Sequence, residues 1–286
     1  MSLCQERSKT QMNIKSYLAL IAIDLKLAMR MRAVIFFNYL FPLMFFFIFG
    51  MLFHARNHPE AMVQVLSMTL TMGVLGNGLF GGGIRAIQER EMNILRRYKV
   101  TPITPAPLLV GAMVTGWAIF LPYIVVMFAL AHFYYHMPWP ENLASLLVFV
   151  SVGQVAFRSI GLVIASVANS MQEGTILVQL CYFPMLFLSG ATFPVSMFPR
   201  WLQVFTNFIP ASYLVNGVKA MMQRGEGVGG AWKPLAALAT TIVVGGFVGM
   251  KLFRWEKEEK IRTSAKLWIL AVLVPFLLLG IWQAHR

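Results

Sequence analysis

Hydrophobic and polar positions in this chain alternate by whole segments, not by single residues. Seven stretches stay apolar for about 20 residues, the length a helix needs to cross a bilayer. They run over 33–53, 61–83, 107–131, 143–168, 172–193, 234–253 and 267–284. Their length and their lack of period-two alternation predict helices and not barrel strands. Two polar segments have periods of their own. From Asn13 to Arg32, Ile14, Leu18, Ile21, Leu25 and Ala28 recur at steps of four and three, with Lys15, Ser16, Asp24, Lys26 and Arg30 opposite. That stripe predicts an amphipathic helix lying on a membrane surface, or an extension of the first span. The other segment, Ile84 to Pro105, follows six glycines between Gly73 and Gly83 and alternates acids and bases from Arg85 to Arg97. It predicts a short charged helix between two spans, ended at Thr101-Pro102 and Pro105; a solvated loop is the alternative.

Composition sharpens this picture. Of 286 residues, 58% are hydrophobic and 12% charged, with a net charge of +13 and a mean hydropathy of +0.68. A basic excess alone would suggest nucleic acid, but this chain has too little polar surface for that partner. The bases instead map topology. With the N-terminus in the cytoplasm, 17 Lys and Arg fall inside and six outside, as the positive-inside rule requires. No cleavable signal peptide is expected, because the first dozen residues are polar and the first apolar run begins near Ala33. Cys4 and Cys181 lie in a polar tail and an apolar run, so no disulfide framework is expected.

Few positions offer chemistry. Arg158 sits inside a span, roughly 15 Å deep, where a charge costs on the order of 3 kcal/mol. It either lines a path or holds an anionic headgroup, or it pairs structurally with Gln154, Gln179, Tyr182 or a carbonyl. Two i,i+4 histidine pairs, His54/His58 and His132/His136, are crowded by prolines and aromatics, and no metal site is expected. No catalytic constellation is present. No G-x-x-x-x-G-K-[ST] occurs in the sequence, so the chain carries no phosphate-cradling loop.

With those features in place, the chain resembles the permease subunit of ABC type-2 exporters over about residues 13–254. One carrying block is Glu89-Arg90-Glu91, Leu95-Arg96 and Thr101-Pro102. The second is Phe187-Leu188-Ser189-Gly190, Phe193-Pro194, Phe198-Pro199, Trp201-Leu202, Pro210 and Tyr213. The resemblance implies that 84–100 is a coupling helix docking on a separate ATPase subunit through Glu89, Arg90, Glu91, Leu95, Arg96 and Arg97. It implies that 194–213 forms re-entrant helices with Phe193, Pro194, Pro199, Trp201 and Pro210 at the gate. It also implies a permease homodimer, contact with membrane lipid, no cofactor on this chain, and ATP with magnesium on the partner ATPase. The chain departs from the family in a seventh apolar stretch and in Asn216, where the family often has an acid.

The sequence therefore predicts an all-α polytopic membrane protein of the cytoplasmic (inner) membrane. Residues 1–32 form a tail and interfacial helix, 33–254 the six-span domain, and 255–286 a basic linker with an extra transmembrane helix. The expected function is ATP-driven export of a hydrophobic or amphipathic molecule, drug-like or lipid-linked. An ion-coupled secondary transporter, or a family permease for polysaccharide, sodium or metal-enzyme maturation, is the alternative; a non-transporting scaffold is a third. Arg158, Gln154 and Gln179 are the candidate polar groups of the path.

Overall fold

A computed structural model describes residues 21–23, 25–26, 35–55, 58–95, 105–225, 227–256, 259 and 268–284. Every regular element among them is helical. The first apolar stretch forms a π-helical turn, Phe36–Leu40, running into α1 (Phe41–Leu52). Then come α2 (Pro59–Leu75), a π-helical segment Gly76–Ile84, and α3 (Arg85–Glu91). These are followed by α4 (Pro105–Phe133), α5 (Leu143–Val167) and α6 (Met171–Leu188). A 3-10 turn, Val195–Met197, leads to α7 (Arg200–Thr206), α8 (Pro210–Gln223), α9 (Trp232–Lys251) and α10 (Trp268–Ala284). Among the described residues, four helical stretches are long and apolar enough to cross a membrane: Glu60–Glu91, Pro105–Phe133, Leu143–Val167 and Trp232–Lys251; Asn38–Leu52 is a shorter apolar helix. Of the N-terminal amphipathic segment, only 21–23 and 25–26 are described, and they are helical. Most of that expected helix, with most of the basic linker after Glu256, lies outside the described residues.

The centre of the bundle is α2 with its π-helical continuation. Its apolar side chains Val65, Leu66, Leu70, Val74, Leu75 and Leu79 are fully buried, and the segment packs most closely on α5. Small residues permit that approach. The Cα of Gly161 on α5 faces the carbonyl of Gly78 and the amide of Gly83 with no room for a side chain, which is how helices come together without a hydrophobic drive between them. The polar cost of the interior is met locally. Thr69 and Thr71 bond carbonyls one turn back on α2, and the Tyr123 hydroxyl of α4 donates to Thr69 O. The outward faces are apolar instead. Val125, Leu180, Val243 and Leu278 are all more than 60% exposed, as side chains that meet lipid are.

The helical segment Glu60–Glu91 has 32 residues, whereas about 20 cross the hydrocarbon. Its final turns, α3, therefore project past the apolar layer while remaining one body with the central helix. The glycine cluster produces this without a break: the π-helical segment passes into α3 with right-handed helical backbone at both Ile84 and Arg85. Of the helix expected over 84–100, residues 84–95 are described. It is interrupted at Met92-Asn93, where Asn93 takes a positive φ of 57°, a conformation that asparagine tolerates better than most residues, and Ile94-Leu95 are helical again.

Candidate functional site

The charged helix is built to face two ways. Ile87 and Arg90 are buried on its inner side, Arg85 and Glu89 pair along its flank at 2.8 Å, and Met92 at its tip is 59% exposed. Arg90 does not face outward as a docking residue would. It is 4% exposed, and its guanidinium donates to Ala165 O at 2.9 Å and Ala168 O at 2.6 Å. These are among the last carbonyls of α5, which lack partners inside their own helix, and a cation there also meets the negative end of the helix dipole. Glu91 accepts the Met171 amide at 2.6 Å and so caps α6 from outside. Within that turn, Ser170 accepts from Glu173 N at 3.1 Å, and Glu173 accepts from Asn169 N at 2.8 Å. Arg90 and Glu91 thus fasten α3 to the α5–α6 turn, and Leu95 is buried at 7% exposure. Of the six residues expected on the docking face, Glu89 is half-buried and Arg96 and Arg97 lie outside the described residues.

Deeper in the same bundle lies the intramembrane cation. Arg158 is 2% exposed. It donates from Nε to Ala112 O, and from Nη1 to Asn77 Oδ1 at 2.9 Å and Asn77 O at 3.2 Å. Gln154 donates to the same Asn77 Oδ1 at 2.6 Å. Gly116 lies against the guanidinium and Gly82 against its stem, with no space at either for a Cβ. Arg158 also forms the inner wall of a cavity of about 100 Å³. Gly81, Gly82, Leu108, Gly111 and Leu162 line it, and Arg85, Glu89 and Leu95 stand at the α3 end. The path candidates separate here: Gln154 joins Arg158 through Asn77, while Gln179 is exposed on α6 and is not brought to them. Asn77 was missed as a site residue; its signal was a lone amide among glycines in an apolar run.

The third cluster is the segment between α6 and α8. Gln64 Nε2 donates to Ala191 O at 2.6 Å and Gly190 O at 3.3 Å, and Lys219 Nζ donates to Gly190 O at 3.1 Å. Tyr213 OH bonds Asn207 O at 2.9 Å. Pro210 is buried at the first turn of α8, whereas Phe193, Pro199 and Trp201 are exposed, Trp201 by 71%. Pro194, half-buried, precedes the 3-10 turn. On the same end of the bundle, His132 bonds Met137 O through Nδ1 at 2.9 Å and stacks on Trp139 at 4.5 Å. No group of three metal-ligating side chains occurs among the described residues.

The bundle thus has a central span carried into a pinned charged helix, and short helices after the fifth apolar stretch. The family model for the ABC-2 type transporter matches residues 15–222. The chain belongs to that family. Among relatives, it is 23% identical over 191 residues to the probable multidrug ABC transporter permease YbhR of Escherichia coli K12, covering 67% of this chain and 51% of that protein. It is 25% identical over 211 residues to the inner membrane transport permease YhhJ of the same organism, covering 72% and 54%. It is 28% identical over 144 residues to ABC transporter G family member 20 of Dictyostelium discoideum, covering 50% and 20%. The chain therefore spans about half the length of the bacterial relatives it matches and a fifth of the third. No solved structure matches it. As a member of that family it is a multi-pass membrane protein.

Proposed function

We propose that this ABC-2 permease moves a hydrophobic or amphipathic molecule outward across the cytoplasmic membrane, driven by a separate ATPase subunit that docks on α3. In this reading the N-terminus and α3 are cytoplasmic, in line with the excess of bases on that side. ATP and magnesium belong to the partner chain. Two permease copies form the complex with a path between them, and their outward apolar faces meet lipid. The observation that carries the reading is α3 itself. It is the rigid end of the most enclosed helix of the bundle, and Arg90 and Glu91 tie it to α5 and α6. A partner pushing on it would therefore move three spans together, through packed contacts that shift as units. The half-buried Glu89, the exposed Met92 and the Arg96–Arg97 pair are the groups assigned to the partner.

The permease matches E. coli proteins named as multidrug and inner membrane permeases, which favours drug-like or lipid-linked cargo here. Co-purification with the ATPase tests the reading. Glu89→Ala and Arg96→Ala are expected to weaken capture of the ATPase and to reduce ATP-dependent transport, each by about tenfold for a lost charged contact. If both variants keep full binding and transport, α3 is not the docking element.

A further inference from the structure

Arg254 follows α9, early in the basic run Lys251 to Lys266. It is 7% exposed, and its Nη2 donates to Ala168 O, the oxygen that Arg90 also holds. Its Nη1 donates to Asn169 Oδ1 at 2.9 Å and to Glu259 O at 2.6 Å. Burial pushes its guanidinium below the ordinary arginine range, against the pull of the Glu173 and Glu259 carboxylates. Two guanidinium groups from different parts of the chain thus converge on one carbonyl at the end of α5. They repel one another, and Glu91 and Glu173 beside them offset that repulsion. A carbonyl oxygen has two lone pairs and accepts from both at once, and the second arginine is not needed to pair that oxygen. What it adds is a connection: Arg90 belongs to α3, Arg254 to the chain leaving α9, and both grip the α5–α6 turn. Arg254 lies outside residues 15–222 matched by the family model.

We propose that Arg254 is a positioning residue for energy coupling. Acting with Arg90 through Ala168 and Asn169, it ties the end of α9 directly to the joint between α3 and the α5–α6 turn. α9 already packs along α5, where Ser159 Oγ donates to Thr241 O at 3.2 Å. Arg254 adds a contact at the α5–α6 turn, so that a displacement imposed on α3 reaches the end of α9 directly as well as through α5. The two carboxylates offset the repulsion of the paired guanidiniums, and cutting the Arg254 link lets the end of α9 lag behind α3. The inference rests on the reading of α3 as the coupling element.

The test uses the full permease with its co-purified ATPase in proteoliposomes, with ethidium and a fluorescent-labelled phosphatidylcholine as probes. Arg254→Gln is expected to leave complex yield and ATP hydrolysis near native. Probe moved per ATP should fall about tenfold, the factor carried by one lost charged hydrogen bond. Arg254→Lys, which keeps a donor for the Ala168 oxygen, should recover most of that ratio. An unchanged ratio in Arg254→Gln overturns the proposal, and so does a proportional fall of yield, hydrolysis and transport. A native complex that neither assembles nor moves either probe overturns the coupling reading instead. The joint is then decided on the permease alone in nanodiscs by hydrogen–deuterium exchange. Arg254→Gln should raise exchange at the α3 amides Ile87 to Glu91 as well as at Ala168 to Gln172. A rise confined to the residues around position 254 overturns the joint as well.

Discussion

At Arg158 the protein keeps a charge where hydrocarbon would reject it, and the surrounding residues show how. Asn77 supplies a side-chain and a main-chain oxygen, Ala112 a carbonyl, and Gly82 and Gly116 the space. Removing the side-chain acceptor should therefore harm the fold more than removing the charge, since a buried cation that has lost an acceptor costs more than a missing one. Asn77→Ala is expected to lower stability by about 3 kcal/mol, and Arg158→Met by about half that or less. Melting temperatures in detergent check the order, and a reversed order would mean that the cluster is not organised around the guanidinium. Gly161→Ala should cost about 1–3 kcal/mol, because its Cβ meets main chain that cannot swing aside. A melting temperature equal to that of the native chain would contradict that contact. Arg158 was legible in the sequence as a costly cation with a carbonyl or amide partner. Which amide it takes was not, because hydropathy gives depth but no azimuth: Gln179 points away, and Asn77 hides in a glycine run whose packing is set by α5.

At the scale of elements, the joint between α2 and α3 sets where the charged helix points. The nine-residue π-helical segment Gly76–Ile84 keeps Arg90 facing α5 and Met92 outward, a geometry that depends on the helical register across it. Deleting Gly81 would turn everything after it by about 100° relative to everything before. Helix content by circular dichroism is expected to stay near native, while Arg90 loses the Ala165 and Ala168 oxygens and the melting temperature falls. Unchanged stability would show that the α3 contacts do not depend on this register. The sequence marked the glycines and the charged helix, but not the turn at Asn93 that interrupts it, because no proline or glycine stands there. It also placed Arg90 and Glu91 on the docking face. Alternating charges carry no sign of which partner lies inside the same chain, and the carbonyl ends of α5 are invisible until the helices are packed.

For the whole molecule, seven apolar stretches and the skew of basic residues drew a polytopic helical protein, and helices lie within all seven stretches. The fold class needed only hydropathy and charge; the order of packing, with α2 at the centre, needed three dimensions, because several stretches are about equally apolar. Topology is open to a direct check. A cysteine placed at Met92 should react with an impermeant thiol reagent only from the cytoplasmic side, and one at Trp139 only from outside, with Cys4 and Cys181 replaced by serine and alanine. Labelling of both from one side would overturn the orientation. The central claim, that α3 receives a separate ATPase, is tested most directly by a photo-crosslinking residue at Met92, the exposed tip of that helix. The expected product in membranes is a covalent adduct of permease and ATPase subunit that is lost when Glu89→Ala is added. A probe at Met92 that captures only lipid, in cells where the ATPase is present and active, would contradict it.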